Sequence, residues 1–344
     1  MSFYFASASP NKTVACNPDF IAVINSDRQV VCWRKKQPKK SKQYIDQPHI
    51  ENAVSICCGS KHVAVLTADG RVVCWGETWH GQCNVPPDLE HVVAICCEEN
   101  TTIALTSDGR VICWGDNGRK QCEVPADLEN VVSIWCGHSH AAAITAEGRV
   151  VCWGCNDCGQ CNVPPDLVDV TRVYCGWNIT SAITHGNVVC WGEAFGESIV
   201  YTDFIHEKMR ESTHKQLFCN GNIADVIANV MLETIALTTD GTLIMCKPSG
   251  YRGLLEIGKI VSISHGFEHV AVITETGKLH CCGKNCSKQC NVPPDLDSVI
   301  QVHCGKNYTL AITADGKVHF IGNVKGLRDV PADLVAYTEM VVLI

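Results

Sequence analysis

The block VVCWGETWHGQCNVPPDL (72–89) returns as VICWGDNGRKQCEVPADL (111–128) and again as VVCWGCNDCGQCNVPPDL (150–167), each step being 39 residues. A fixed period of this size implies one small structural unit stacked against copies of itself. Extended in register, the unit reads V-x-I-x-C-G, then H-x-x-A-h-T-x-D-G-R-V-h-C-W-G with h apolar, then G-Q-C-N-V-P-P-D-L. Further copies pass through 261–296 and 300–334. More divergent ones pass through 14–50, 171–192 and 226–247, which makes eight units.

Each unit reads as strands. VSIC, HVAVLT and RVVCWG are short, rich in β-branched residues and bounded by turn residues. TADG (67–70), TSDG (106–109), TTDG (238–241) and TADG (313–316) are hairpin turns, with glycine supplying a positive φ. Asn-Val-Pro-Pro-Asp-Leu is the connector to the next unit, because proline withholds ladder donors. A unit this small cannot cover both faces of its sheet, so the units must stack radially. The expected fold is all-β: one β-propeller domain over 1–344, made of four-stranded blades. The end segments FYFA (3–6) and MVVLI (340–344) are expected to pair and close the ring.

The 24 cysteines raise the question of a metal site, since Cys152, Cys155, Cys158 and Cys161 follow one another at three-residue steps. The repeat answers most of it. Cys152 and Cys161 have counterparts at Cys74 and Cys83, Cys113 and Cys122, and Cys281 and Cys290, each pair nine apart. Only Cys155 and Cys158 are additional; they stand where other units have Glu77 and His80, or Asp116 and Arg119. They are the candidates for a zinc or redox role, although a four-ligand site would have to borrow the two repeat cysteines. The rest read as small buried residues at strand-to-strand contacts.

At this point the chain resembles the regulator of chromosome condensation repeat family. The H-x-x-A-h-T-x-D-G-x-V-h-x-W-G-x-N-x-x-G-Q blocks carry the resemblance, clearest at 62–82 and 140–160. His62, His140 and His269 fall at the family's histidine, and Trp75, Trp114, Trp153 and Trp191 at its Trp-Gly. The resemblance implies a propeller, usually of seven blades, and here seven or eight fit the sequence. It also implies a partner-binding protein, the founding member being an exchange factor for a small GTPase. The short cysteine-rich variant resembles versions found in bacteria, protists and large DNA viruses.

Nothing in the residues adds an enzyme or a cofactor. His62, His140 and His269 occupy different units, too far apart for one ion, and read as buried residues tying a strand to a neighbouring carbonyl. The tryptophan N–H groups should find local acceptors. Trp177 lies off the Trp-Gly register. No phosphate-binding glycine loop occurs, and HEKMRESTH (206–214) lacks a metal-binding helical spacing.

Two segments break the repeat, and such irregularities are where recognition tends to sit. One is the basic loop within 34–50, containing Lys35, Lys36, Lys39 and Lys40. The other is the insertion 193–222, with Phe195, Tyr201, Phe204 and Phe218 as apolar anchors and a short helix expected over 209–218. Net charge is −8, and removing the six basic residues of 34–42 leaves 22 basic against 36 acidic, or −14. An acidic body disfavours nucleic acid except through 34–42. Apolar runs are too short to span a membrane and the start lacks a secretory leader, so an intracellular protein, cytoplasmic or nuclear, is expected. The expected function is a non-catalytic protein-interaction scaffold. The alternatives are nucleotide exchange on a small GTPase, or assembly into a large DNA virus particle, which would place the chain in the virion.

Overall fold

The computed structural model describes residues 13–16, 20–34, 44–192, 214–217, 223–228, 234–245, 257–266 and 268–323. Among these the chain has 26 strands and no helix, and therefore no helix long and apolar enough to cross a membrane. The strands form eight antiparallel sheets that follow one another in chain order.

The second unit shows the plan. Ala53–Cys58, His62–Thr67 and Val72–Glu77 pair in sequence, with Val63 opposite both Cys58 and Trp75. The middle strand, HVAVLT, is buried along its whole length. It therefore carries apolar residues on both faces instead of alternating with polar ones. Its hairpin closes as the Gly70 N–H donates to the Thr67 carbonyl at 2.9 Å, with Gly70 at φ +77°. The carbonyl of the same glycine then accepts the Val92 N–H of the third sheet at 3.1 Å. This cross-sheet bond recurs from Val131 to Gly109, Val170 to Gly148, Ile260 to Gly241 and Val299 to Gly277, at 2.9–3.2 Å.

The cores lie between neighbouring sheets. Cys57, Ala64, Leu66 and Cys74 of the second sheet pack on Ile95, Cys97, Ala104 and Trp114 of the third. Equivalent clusters join the first sheet to the second, the third to the fourth, the fourth to the fifth, the sixth to the seventh and the seventh to the eighth. Ile179–Thr184 of the fifth sheet lies against Ile223–Ala228 of the sixth. A further cluster sets Val14, Ile21, Val23 and Trp33 of the first sheet against Tyr308, Leu310 and Ile312 of the eighth. Thr13 Oγ1 donates to Gln301 Oε1 at 3.3 Å across that boundary.

Two expectations are corrected. Six of the eight sheets have three strands among the described residues, not four. After Val72–Glu77, Val111–Gly115, Val150–Gly154 and Leu279–Gly283, the proline connector runs as turns, with Leu89 N–H on the Pro86 carbonyl at 3.2 Å. Its prolines withhold ladder donors, and the turns they favour carry the connector away from the sheet. The second correction concerns 209–218, where a helix was expected. His214–Leu217 is instead a strand, pairing with Asn187–Gly192 so that Lys215 faces Cys190 and His214 faces Trp191. The fifth unit has no proline connector, so its third strand presents an open edge whose N–H and C=O groups pair with the next suitable segment. Tyr44–Ile45 supplies a fourth strand to the second sheet in the same way, beside Gly76 and Glu77. The end segments 3–6 and 340–344 lie outside the described residues.

Candidate functional site

At one end of each sheet the chain turns from its first strand to its second. The turn begins with glycine at 59, 137, 176, 266 and 305, which the repeat keeps, and continues with a residue it does not keep. That next residue is Ser60, Glu99, His138 and Trp177 in units two to five, again at steps of 39.

The turns of adjacent sheets touch. The Ser60 N–H donates to the Glu99 carbonyl at 2.7 Å, and the His138 N–H to the Gly176 carbonyl at 3.2 Å. Side chains extend the row. Ser60 Oγ donates to Glu99 Oε2. Glu99 Oε1 stands 3.4 Å from His138 Nδ1. The His138 ring lies on Trp177 with centroids 4.4 Å apart and planes tilted by 33°. Four sheets thus present a continuous row of hydroxyl, carboxylate, imidazole and indole, with the last three half-buried.

The row is not a nucleophilic triad. Ser60 bonds to the carboxylate and not to the imidazole, so the serine–histidine–carboxylate order of such a triad is not reproduced. A half-buried aromatic beside fixed polar groups suits protein recognition, where Trp anchors inside a polar surround dominate affinity.

A repeated latch behind the row holds it in place. His62, His140 and His269 are buried, and their Nε2 atoms lie 2.8, 2.9 and 3.0 Å from the Oγ1 atoms of Thr102, Thr180 and Thr309 in the following sheet. Each threonine in turn donates to a backbone carbonyl of the connector, at Gln82, Gln160 and Gln289. The histidines therefore reach the carbonyl through a hydroxyl relay, not by the direct bond expected from sequence. The Gln82, Gln121 and Gln160 carbonyls also accept the indole N–H of Trp114, Trp153 and Trp191 at 2.9–3.0 Å. The buried glutamine side chains close the preceding turn: Gln160 Oε1 accepts the Cys158 N–H at 3.0 Å.

The histidine also explains the glycine. A Cβ at Gly59 would come within 2.3 Å of His62 Cε1, and one at Gly266 within 2.4 Å of His269 Cε1. The third unit has Thr101 where the second, fourth and seventh have histidine, and there the glycine position is occupied by the buried Glu98.

The cysteines expected at strand contacts are found there: Cys57, Cys58, Cys74, Cys96, Cys97, Cys136, Cys175, Cys190 and Cys304 are all buried. Cys155 and Cys158 are half-buried in the connector turn, where the Cys155 thiol lies 3.4 Å from Asp157 Oδ2. Among the described residues no group of three or more His, Cys, Asp or Glu side chains is arranged to hold a metal ion. Lys35, Lys36, Lys39, Lys40, Phe195, Tyr201, Phe204 and Phe218 lie outside the described residues. Sequence reasoning marked Trp177 but missed Ser60, Glu99 and His138. The signal was present: one position in the unit changes chemistry from copy to copy while its neighbours repeat.

These observations define a protein of repeated three-stranded sheets joined by inter-sheet cores. Residues 53–82, 92–121, 131–160 and 260–289 match the regulator of chromosome condensation (RCC1) repeat. The repeat that the sequence blocks implied is matched at these four positions. Among solved structures it is similar to human WBSCR16, at 18% identity and a TM-score of 0.56 over 91% of this chain and 99% of that one. It is similar to Prp20p of Saccharomyces cerevisiae, described with its binding to Gsp1p and histones, at 17% identity and a TM-score of 0.55 over 75% and 82%. It also resembles the ectodomain of the Physcomitrella patens receptor kinase CR4, at 16% identity and a TM-score of 0.57 over 81% and 74%. At such identities the likeness is one of fold. No curated protein sequence matches the chain. The expected role in a virus particle finds no support in these comparisons.

Proposed function

We propose that the chain is a non-catalytic interaction scaffold, a single ring of eight blades that binds a protein partner on the turn row Ser60–Glu99–His138–Trp177. The observation that carries this reading is the row itself: four different side chains at one repeat position, linked across four sheets. The Trp33–Tyr308 cluster between the first and eighth sheets supports closure of the ring. A closed ring lowers the ordering cost of binding, because the contacting turns are fixed beforehand. The likeness to Prp20p makes a small GTPase one partner class to test, and exchange activity is the competing reading.

The test compares the partners retained by the intact chain with those retained by a Glu99→Ala/His138→Ala/Trp177→Ala variant. A Val93→Thr/Val132→Thr variant serves as control. Those exposed valines lie in the starting segments of the strands whose far ends carry Glu99 and His138. Partners lost only from the triple variant sustain the reading; partners lost equally from both, or from neither, defeat it. Acceleration of nucleotide release from a GTPase at catalytic ratios would replace it with the exchange-factor reading.

A further inference from the structure

The strand–connector cysteine pairs, nine residues apart, recur in four units, yet their thiols are not in the same state. Cys113 Sγ lies 2.9 Å from Cys122 Sγ, and both are free, half-buried thiols. We propose that Cys113 and Cys122 are an oxidation site, at which a hydroperoxide converts the two thiols into a disulfide that staples the connector 116–130 to the strand Val111–Gly115.

The geometry requires little movement. The two sulfurs must close from 2.9 Å to about 2.05 Å, which a turn can absorb. The roles of the two sulfurs differ. A hydrogen bond from Cys113 holds the Cys122 thiol below its usual range, while burial and that same neighbour push Cys113 up. The connector cysteine, Cys122, is therefore the nucleophile and the strand cysteine, Cys113, the resolving thiol.

The Cys122 thiolate attacks the O–O bond of the peroxide. Oxygen transfers to sulfur to give a sulfenic acid, and the leaving alkoxide takes a proton to become the alcohol. The Cys113 thiol then attacks that sulfenic sulfur, forming the S–S bond and releasing water. Two thiols lose two electrons and the peroxide gains them.

The other pairs are internal controls. Burial pushes Cys83 and Cys161 up to about 12. Their thiols donate to the carbonyls of Glu77 and Cys155 at 3.3 Å, as Cys122 does to that of Asp116 at 3.4 Å; what sets Cys122 apart is the Cys113 sulfur 2.9 Å away. Cys57 and Cys97 stand closer still, at 2.6 Å, but at 1% and 0% exposure they are sealed from an oxidant. The proposed staple would have a structural consequence, because the Gln121 carbonyl beside Cys122 accepts the Trp153 N–H of the next sheet.

The full-length chain is treated with limiting hydrogen peroxide, remaining thiols are alkylated, and tryptic peptides are mapped by mass spectrometry. Cleavage after Arg110, Arg119 and Lys120 puts Cys113 and Cys122 on separate peptides. The expected result is a 113–122 link forming roughly tenfold faster than 74–83 and 152–161 links, and reversing with dithiothreitol. A Cys113→Ser variant should stop at a dimedone-reactive Cys122. Alkylation of both Cys113 and Cys122 after peroxide overturns the proposal, as does even linking of all four pairs or a Cys155–Cys158 link that forms first. The mapping uses the native chain, so it stands even where a variant fails to fold.

Discussion

His140 Nε2 and Thr180 Oγ1 meet at 2.9 Å across the boundary between the fourth and fifth sheets. The latch is made at some sheet boundaries and not at others. His62 with Thr102 and His269 with Thr309 repeat it, whereas the third unit has Thr101 in place of the histidine and the fourth has Ala141 in place of the threonine. Thr180 spends its one proton on the Gln160 carbonyl at 2.7 Å, so the imidazole is the donor in the first bond. Thr180→Ala would leave a buried N–H without an acceptor, at a cost of about 1–3 kcal/mol. His140→Thr combined with Thr180→Ala recreates the combination already present at 101 and 141. Urea denaturation should find the double variant less destabilised than the sum of the singles; simple additivity would show that the two residues are not coupled.

Acid should weaken the latch. Burial, with a smaller contribution from His138, holds the His140 imidazole down to about 3, and burial holds His269 down to about 4. An unfolded histidine titrates near pH 6.5, so the unfolded chain takes up protons first. Stability from these groups is complete above about pH 6.5 and declines as pH falls toward 4, by at most about 1.4 kcal/mol per pH unit for each histidine. Asp69, Asp108 and Asp240, each held low by a threonine hydroxyl, add to the loss only below about pH 5. Thermal midpoints between pH 7.5 and 4.5 should fall steeply for the native chain and less steeply for His140→Gln/His269→Gln. Parallel profiles would assign the loss to other groups.

The repeat made much of this fold legible before any coordinates. Strand triplets, Thr-x-Asp-Gly turns and proline connectors follow from local sterics and missing donors, which a single unit contains in full. The relay from His140 through Thr180 was not legible, because its two residues lie 40 apart and meet only once sheets pack. The row from Ser60 to Trp177 left a trace in the sequence, one variable position at steps of 39, but its contacts too form only once sheets pack. At 209–218 the helix-forming Lys, Gln and Leu were a misleading signal. The open edge of Asn187–Gly192 prevailed over local propensity and drew His214–Leu217 into a sheet.

One position tests how far the turn geometry constrains the sequence. Gly70, at φ +77°, has its carbonyl on the Val92 N–H, and a Cβ there would stand 3.2 Å from His91 Cα. In the first unit the same place is held by Arg28, at φ +57°, whose carbonyl accepts the Ala53 N–H at 2.9 Å. A left-handed conformation costs an L-residue about 1–2 kcal/mol, and the extra unfolded-state freedom of glycine offsets roughly 0.5–1 kcal/mol of that. Arg28→Gly should therefore stabilise the chain by about 0.5 kcal/mol. Gly70→Ala should destabilise it by more than that, because the neighbouring backbone must also give way. Paired denaturation curves read both signs. A neutral Gly70→Ala would mean that the turn relaxes freely and that the cross-sheet bond to Val92 does not depend on glycine.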